Sequence, residues 1–181
     1  MQHPIEALID RCRQNDRSAQ RQLYEQFSAF VMRICYRYAT DLEEAKDMLQ
    51  NTFVRVFHYL PEYDPAKATF TTWLHRIAVH EAIAVKRKKQ RWNLSDGIFA
   101  EADASCPPEV IERLTVEELR AVIAKMPDIH RTILMLHYFD GLAHDEIAGL
   151  LGIEISSSRA RLSRAKTELI HRWNLNQQIG L

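Results

Sequence analysis

The chain has 181 residues, enough for one ordinary domain or two small ones. Hydrophobic residues make up 46 % and charged residues 27 %, which excludes a disordered chain. Lys+Arg and Asp+Glu both number 24, so a net charge of zero excludes a uniformly basic coat for nucleic acid and leaves only local patches.

The first 96 residues contain no glycine, and the six prolines stand between periodic segments. That punctuation, with no run of period-2 alternation, predicts an all-α fold. Ile5 to Gln14 reads as a short helix. Asp16 is placed to cap a long helix reaching about Ala39, with Ala19, Leu23, Phe27, Phe30, Ile34 and Tyr38 spaced by three and four. Asp41 caps the next, which ends near Leu60, and Pro61 to Ala68 is a loop. Thr69 to Lys89 is helical again. Gln90 to Ser105 loses periodicity, carries Asp96, Gly97, Glu101 and Asp103, and leads to Pro107-Pro108, so it reads as a linker. Further helices are expected at Glu109–Lys125, Ile129–Phe139, Asp145–Leu151 and Ile155–Trp173. The expected layout is two small helical domains, 1–92 and 109–181, joined by a flexible acidic linker at 93–108.

No apolar run approaches the roughly 18 residues needed to cross a bilayer. The N-terminus lacks the basic start and apolar core of a signal peptide, so a cytoplasmic protein is expected. Cys12, Cys35 and Cys106 are odd in number and far apart, which predicts reduced, mostly buried thiols. The eight histidines are scattered, there is no HExxH, and no carboxylate–histidine cluster has metal spacing. No metal site, no cofactor and no enzymatic activity are expected.

The clearest local pattern is Leu142-Ala-His-Asp-Glu-Ile-Ala-Gly-Leu-Leu-Gly-Ile-Glu-Ile-Ser-Ser-Ser-Arg-Ala-Arg-Leu. A short helix ends at Gly152, a left-handed C-cap, and a tight turn leads to a second helix. On that helix Ile155, Ser158, Leu162, Ala165 and Leu169 share one face, and Ser156, Ser157, Arg159, Ala160, Ser163, Arg164 and Lys166 lie on the other. An apolar back, small residues near the N-terminus and arginines beyond them are what a major-groove recognition helix needs. Arg159 to Arg172 holds five bases and one acid. Ala143 stands where Ser or Thr would complete a capping box with Glu146, a loss of about 1 kcal/mol.

The N-terminal half carries two faces of opposite sign. Asp41 to Asp64 holds six acids and two bases. There Leu49, Thr52, Phe53, Val56, Phe57 and Leu60 form an apolar stripe, opposite Asp47, Gln50, Asn51, Val54 and Arg55. An acidic helix does not belong on DNA, so its outer face meets solvent or a protein. Arg76 to Arg91 holds six bases and one acid, with Tyr59, Tyr63, Phe70, Trp73 and Trp92 near it in sequence. Cations beside aromatic platforms suit single-stranded DNA. Phe70 and Trp73 are expected in the core, and Tyr63, in a proline-bounded loop, is expected to be exposed.

The stretches Asp47-Met-Leu-Gln-Asn-Thr-Phe-Val-Arg-Val-Phe and Thr69-Phe-Thr-Thr-Trp-Leu-His-Arg-Ile-Ala, with the C-terminal helix-turn-helix, resemble regions 2.2, 2.3–2.4 and 4.2 of a bacterial RNA polymerase sigma factor. The two-domain layout resembles the extracytoplasmic-function (ECF) subgroup. The resemblance implies a factor that binds core polymerase and directs it to promoters. It places Asp47, Gln50 and Asn51 on the β′ clamp helices, with Asn51 standing where glutamate is usual. It places the Pro61–Phe70 loop, with Tyr63 and Lys67, at a flipped base of the −10 element. Thr72, His75, Arg76, His80, Lys86 and Arg87 follow along that element, His80 replacing a common asparagine. It assigns Ser156, Ser157, Arg159, Ala160, Arg161, Ser163 and Arg164 to the −35 duplex. It also implies a β-flap contact and an anti-sigma factor or other regulatory partner.

Promoter opening costs of the order of 1.4 kcal/mol per base-pair step, so a small protein needs both single-strand capture and a partner that supplies surface. A plain helix-turn-helix regulator with a helical sensor domain is the alternative, and it leaves the acidic and the aromatic-basic helices unassigned. By segment, residues 1–90 carry 14 bases and 11 acids, residues 91–118 two and seven, and residues 119–181 eight and six. The zero is therefore a sum of two mildly basic domains and an acidic linker.

Overall fold

The computed structural model describes residues 4–89 and 116–179. Every described element is helical, and the chain divides into two compact units, one in each half. The expected linker, the start of the helix at Glu109, Trp92 and Cys106 lie outside the described residues.

The N-terminal unit contains α1 (Pro4–Arg13), α2 (Arg17–Tyr38), α3 (Leu42–Tyr59) and α4 (Phe70–Lys89). A 3-10 turn, Leu60–Glu62, closes α3. Helices α2, α3 and α4 pack against one another in a triangle, and α1 lies on α2 and on the 3-10 turn. Leu23, Val31, Ile34, Met48, Val56, Leu74 and Ile83 are buried at its centre.

Capping places each helix start. Asp16 accepts from the backbone N–H groups of Ser18 and Ala19, at 2.8 and 3.2 Å, and also holds Arg11 at 2.6 Å. That arginine, together with the cap bonds, holds the Asp16 carboxyl below its ordinary range. Asn15 takes a φ of 61° in the α1–α2 turn, a conformation asparagine tolerates better than most residues. At α3, Asp41 accepts from the Glu44 N–H at 2.8 Å. The buried Glu44 carboxylate in turn accepts from the Thr40 N–H and hydroxyl, both at 2.6 Å. Asp41 and Glu44 therefore both serve the helix start, and of the two only Glu44 is buried.

The C-terminal unit contains α5 (Val116–Ala124), α6 (Asp128–Leu134), α7 (His144–Leu151) and α8 (Ile155–Ile179). Met135–Phe139 continues α6 as a π turn, in which the Asp140 N–H reaches the Met135 carbonyl at 3.0 Å. Helices α5, α6 and α7 all pack against α8. Ile133, Leu136, Ile147, Leu162 and Ala165 form the core of the unit. Helix α8 runs past the expected end at Trp173 to Ile179.

Cys12 and Cys35 are buried free thiols. Burial pushes the Cys35 thiol up to about 12, so it carries no thiolate at neutral pH. Among the described residues no helix is long and apolar enough to cross a membrane.

Candidate nucleic-acid and protein interfaces

The outer face of α3 is built by its register. Met48, Leu49, Thr52, Phe53 and Val56 point into the unit, and Asp47, Gln50, Asn51, Val54 and Arg55 stand exposed on the other side. The Thr52 hydroxyl donates to the Met48 carbonyl at 2.7 Å, which removes its polarity from the core. Val54 is 68 % exposed among polar neighbours, an arrangement suited to a protein partner. Arg55 forms an ion pair with Glu81 of α4, whose side chain is almost wholly buried. This link between α3 and α4 has no signature in sequence spacing.

The loop after α3 is folded on its own tyrosine. Tyr63 is only 6 % exposed. Its ring lies edge-on to Phe70 at 5.5 Å and near Trp73 at 5.2 Å, and its hydroxyl donates to the Ala68 carbonyl at 3.1 Å. The expectation of an exposed Tyr63 is therefore corrected: the ring finds an aromatic pocket inside the loop and cannot stack on a base. Phe70 is buried as expected, and Trp73 is half-buried. Asp64 accepts from the Ala66 N–H at 2.9 Å in an Asx turn, leaving Lys67 exposed at the tip. Thr69 caps α4, accepting from the Thr72 N–H at 3.2 Å.

Along α4, Thr72, Arg76, His80 and Arg87 are exposed, and His75 is half-buried beside Phe30. Lys86 is corrected. It is 3 % exposed, because it follows Val79, Ala82 and Ile83 by seven, four and three residues and so shares their buried face. The exposed cations on this helix are Arg76, Arg87 and Lys88 among the described side chains.

The helix-turn-helix has the geometry its sequence predicts. Gly152 takes φ 67° and ψ 40°, and the Ile153 N–H reaches back to the Ala148 carbonyl at 3.0 Å. Ala143 offers no side-chain oxygen, yet its own N–H donates to Glu146 at 3.0 Å, so half of the capping box survives. On α8, Ser156 and Arg159 are exposed, and Ser157, Ala160, Ser163 and Arg164 are half-buried. Arg161, expected on the −35 duplex, is buried instead. It is 5 % exposed, lying three residues after buried Ser158 and four before buried Ala165. Ile155, expected on the apolar face, is 43 % exposed at the first turn.

The hydroxyl on the buried face, Ser158, is satisfied: its Oγ lies 2.9 Å from His144 Nδ1. The His144 ring stacks on His137 at 5.1 Å and 15°, and His137 Nδ1 lies 3.2 Å from the Leu142 carbonyl. Burial, then His137 and Arg159, hold the His144 imidazole below its ordinary range. The two histidines stand seven apart in sequence, a spacing with no metal-site meaning that does not announce their stacking. Among the described residues no group of three or more His, Cys, Asp or Glu could hold a metal ion.

Residues 23–92 match the family Sigma-70 region 2, and residues 116–169 match Sigma-70, region 4. The chain is 26 % identical over 181 residues to the ECF RNA polymerase sigma factor SigW of Bacillus subtilis, with 93 % of this chain and 96 % of that one covered. It is 30 % identical over 153 residues to the RNA polymerase sigma factor YlaC of the same species, covering 81 % and 87 %. Two solved structures share the fold at 20 % identity. CnrH in complex with the cytosolic domain of CnrY has a TM-score of 0.51, covering 93 % of this chain and 96 % of that one. The sigma factor RpoE in complex with the anti-sigma factor NepR from Bartonella quintana has a TM-score of 0.53, covering 85 % and 96 %.

Residues 23–92 are region 2 rather than a sensor domain, and the reading of a plain helix-turn-helix regulator falls with that match. The chain belongs to the sigma-70 family of RNA polymerase sigma factors, in its ECF subgroup, and it directs RNA polymerase to promoters through regions 2 and 4.

Proposed function

We propose that three exposed faces divide the work of promoter recognition. The outer face of α3, with Asp47, Gln50 and Asn51, docks on the polymerase β′ clamp helices. The Pro61–Phe70 loop and the α4 face carrying Thr72, His75, Arg76 and His80 capture the −10 element, with Arg87 on the backbone. The start of α8, with Ser156, Ser157, Arg159, Ala160, Ser163 and Arg164, reads the −35 duplex. The domains are residues 1–92 and 109–181, with 93–108 as linker, and the second also meets the β flap.

The observation that carries this reading is the sorting of side chains on α3. Asp47, Gln50 and Asn51 are exposed together, while the apolar stripe beneath them is consumed by α2 and α4. Polar side chains kept on a rigid face suit a protein dock. Replacing Asp47 and Gln50 with alanine lowers affinity for purified core polymerase and leaves binding of −35 duplex by the free factor unchanged. Unchanged core affinity contradicts the assignment.

CnrH is seen in complex with the cytosolic domain of CnrY, and the sigma factor RpoE with the anti-sigma factor NepR, and we infer that this chain too meets an anti-sigma or other regulatory protein. Its work beside polymerase places it in the cytoplasm.

A further inference from the structure

We propose that Arg13, on a helix outside the residues matched to region 2, is a positioning residue for the −10 loop; this rests on the assignment of that loop to base capture. The Arg13 guanidinium spans two carbonyls that open and close the 3-10 turn. Its Nε donates to the Leu60 carbonyl at 3.2 Å, and a terminal nitrogen donates to the Tyr63 carbonyl. The third nitrogen holds Asp10 of the same helix at 3.0 Å, which fixes the fork.

The chemistry fits the place. The Leu60 carbonyl already accepts from the Tyr63 N–H at 3.2 Å and has a second lone pair, while the Tyr63 carbonyl lies just past the turn; both carry the partial negative charge of a helix end, so a cation with several N–H groups suits them. A guanidinium presents its donors in a rigid plane and serves two acceptors at once, which an ammonium on a flexible stem does not. Arg13 is half-buried, so these bonds are partly shielded from water.

The loop also closes on itself, and its last residue, Phe70, meets Phe27 of α2 at 5.1 Å. Tyr63 packs on Phe70 and Trp73 and bonds to Ala68, and Asp64 turns the chain at Ala66. Arg13 supplies its polar tie to α1, which packs against the 3-10 turn. A loop held from inside by Tyr63 and from outside by Arg13 presents Lys67 and its neighbours in one geometry. Binding an unstacked base then costs little further ordering.

The test uses the full chain bound to purified core polymerase. The probe is a non-template oligonucleotide carrying the −10 hexamer of a promoter selected by this holoenzyme from a randomised library. Arg13→Ala weakens oligonucleotide binding about tenfold, and core affinity stays within about twofold. Arg13→Lys restores only part of the loss. Hydrogen exchange at the amides of residues 62–64 and 66–68 accelerates in Arg13→Ala, while amides in the middle of α2 keep their protection. Lys67→Ala, at the loop tip, weakens the same probe independently.

Unchanged probe binding and loop exchange in Arg13→Ala, with Lys67→Ala still weakened, overturns the role of Arg13 and leaves the loop assignment standing. Unchanged probe binding in both variants, with loop exchange accelerated in Arg13→Ala, overturns the loop assignment. Full rescue by Arg13→Lys also overturns the proposal, since a point charge would then suffice. A parallel loss of core affinity and α2 protection assigns Arg13 to general stability instead, and Arg13→Gln separates that case if Arg13→Ala does not fold.

Discussion

His144 Nδ1 lies 2.9 Å from Ser158 Oγ, joining the first residue of α7 to the first turns of α8. This bond crosses the helix-turn-helix behind the proposed DNA face. The same imidazole is held below its ordinary range by burial first, then by His137 stacked on it and by Arg159, with Asp145 opposing. A histidine with a depressed folded value binds its proton more readily in the unfolded chain. Its contribution to stability is therefore full above the ordinary value of 6.5 and is lost as pH falls through the lowered folded value. NMR titration of the ring is expected to give a His144 midpoint below 6.5. A midpoint at or above that value contradicts the packing described.

The Arg55–Glu81 pair ties the proposed docking helix to the proposed −10 helix. Glu81 is buried, and Arg55 is half in solvent, so removing the arginine strands a carboxylate that water reaches poorly. Arg55→Ala is expected to destabilise the N-terminal unit by about 1–3 kcal/mol, and Glu81→Gln by less. Chemical denaturation followed in the full chain checks the order. Equal stability of Arg55→Ala and the parent chain contradicts it.

Arg159, Arg161 and Arg164 stand close in sequence and apart in environment. Arg159 is exposed and Arg164 half-buried on the proposed DNA side, while Arg161 is buried. Each of Arg159→Ala and Arg164→Ala is expected to lower the salt slope of −35 duplex binding by about one. Arg161→Ala is expected to leave the slope alone and lower the melting temperature. A slope change in Arg161→Ala with no loss of stability contradicts the burial argument.

Gly152 holds a left-handed φ of 67° between the two helices of the motif. Gly152→Ala is expected to cost about 1–2 kcal/mol, and Gly152→Asn less, because asparagine enters this region more readily. Thermal melts of the two variants rank them, and an alanine variant as stable as the asparagine one contradicts the cap.

The local grammar of this fold is legible in its sequence. Asp16, Asp41 and Gly152 mark helix ends by their side-chain chemistry, and three- and four-residue spacing assigns the buried face of α3 correctly. The same arithmetic, applied strictly, also places Lys86 and Arg161 inside: each sits seven, four or three residues from buried neighbours. Their charge suggested a surface role that their register denies. Tyr63 escaped for a different reason. Its pocket is made by Phe70 and Trp73 across a turn, and no spacing rule reports that a loop will close over its own aromatic. Arg13 on the Leu60 and Tyr63 carbonyls, Arg55 on Glu81, and His144 on Ser158 are all long-range meetings that depend on how helices pack.

The family assignment makes one claim central: this chain gives core polymerase its promoters. The direct measurement is run-off transcription by purified core polymerase on a randomised promoter library, with and without the purified chain. Transcripts are expected that need the chain and that share a −35 and a −10 element, with Asp47→Ala/Gln50→Ala reducing them all. Transcripts that are the same with and without the chain would contradict it.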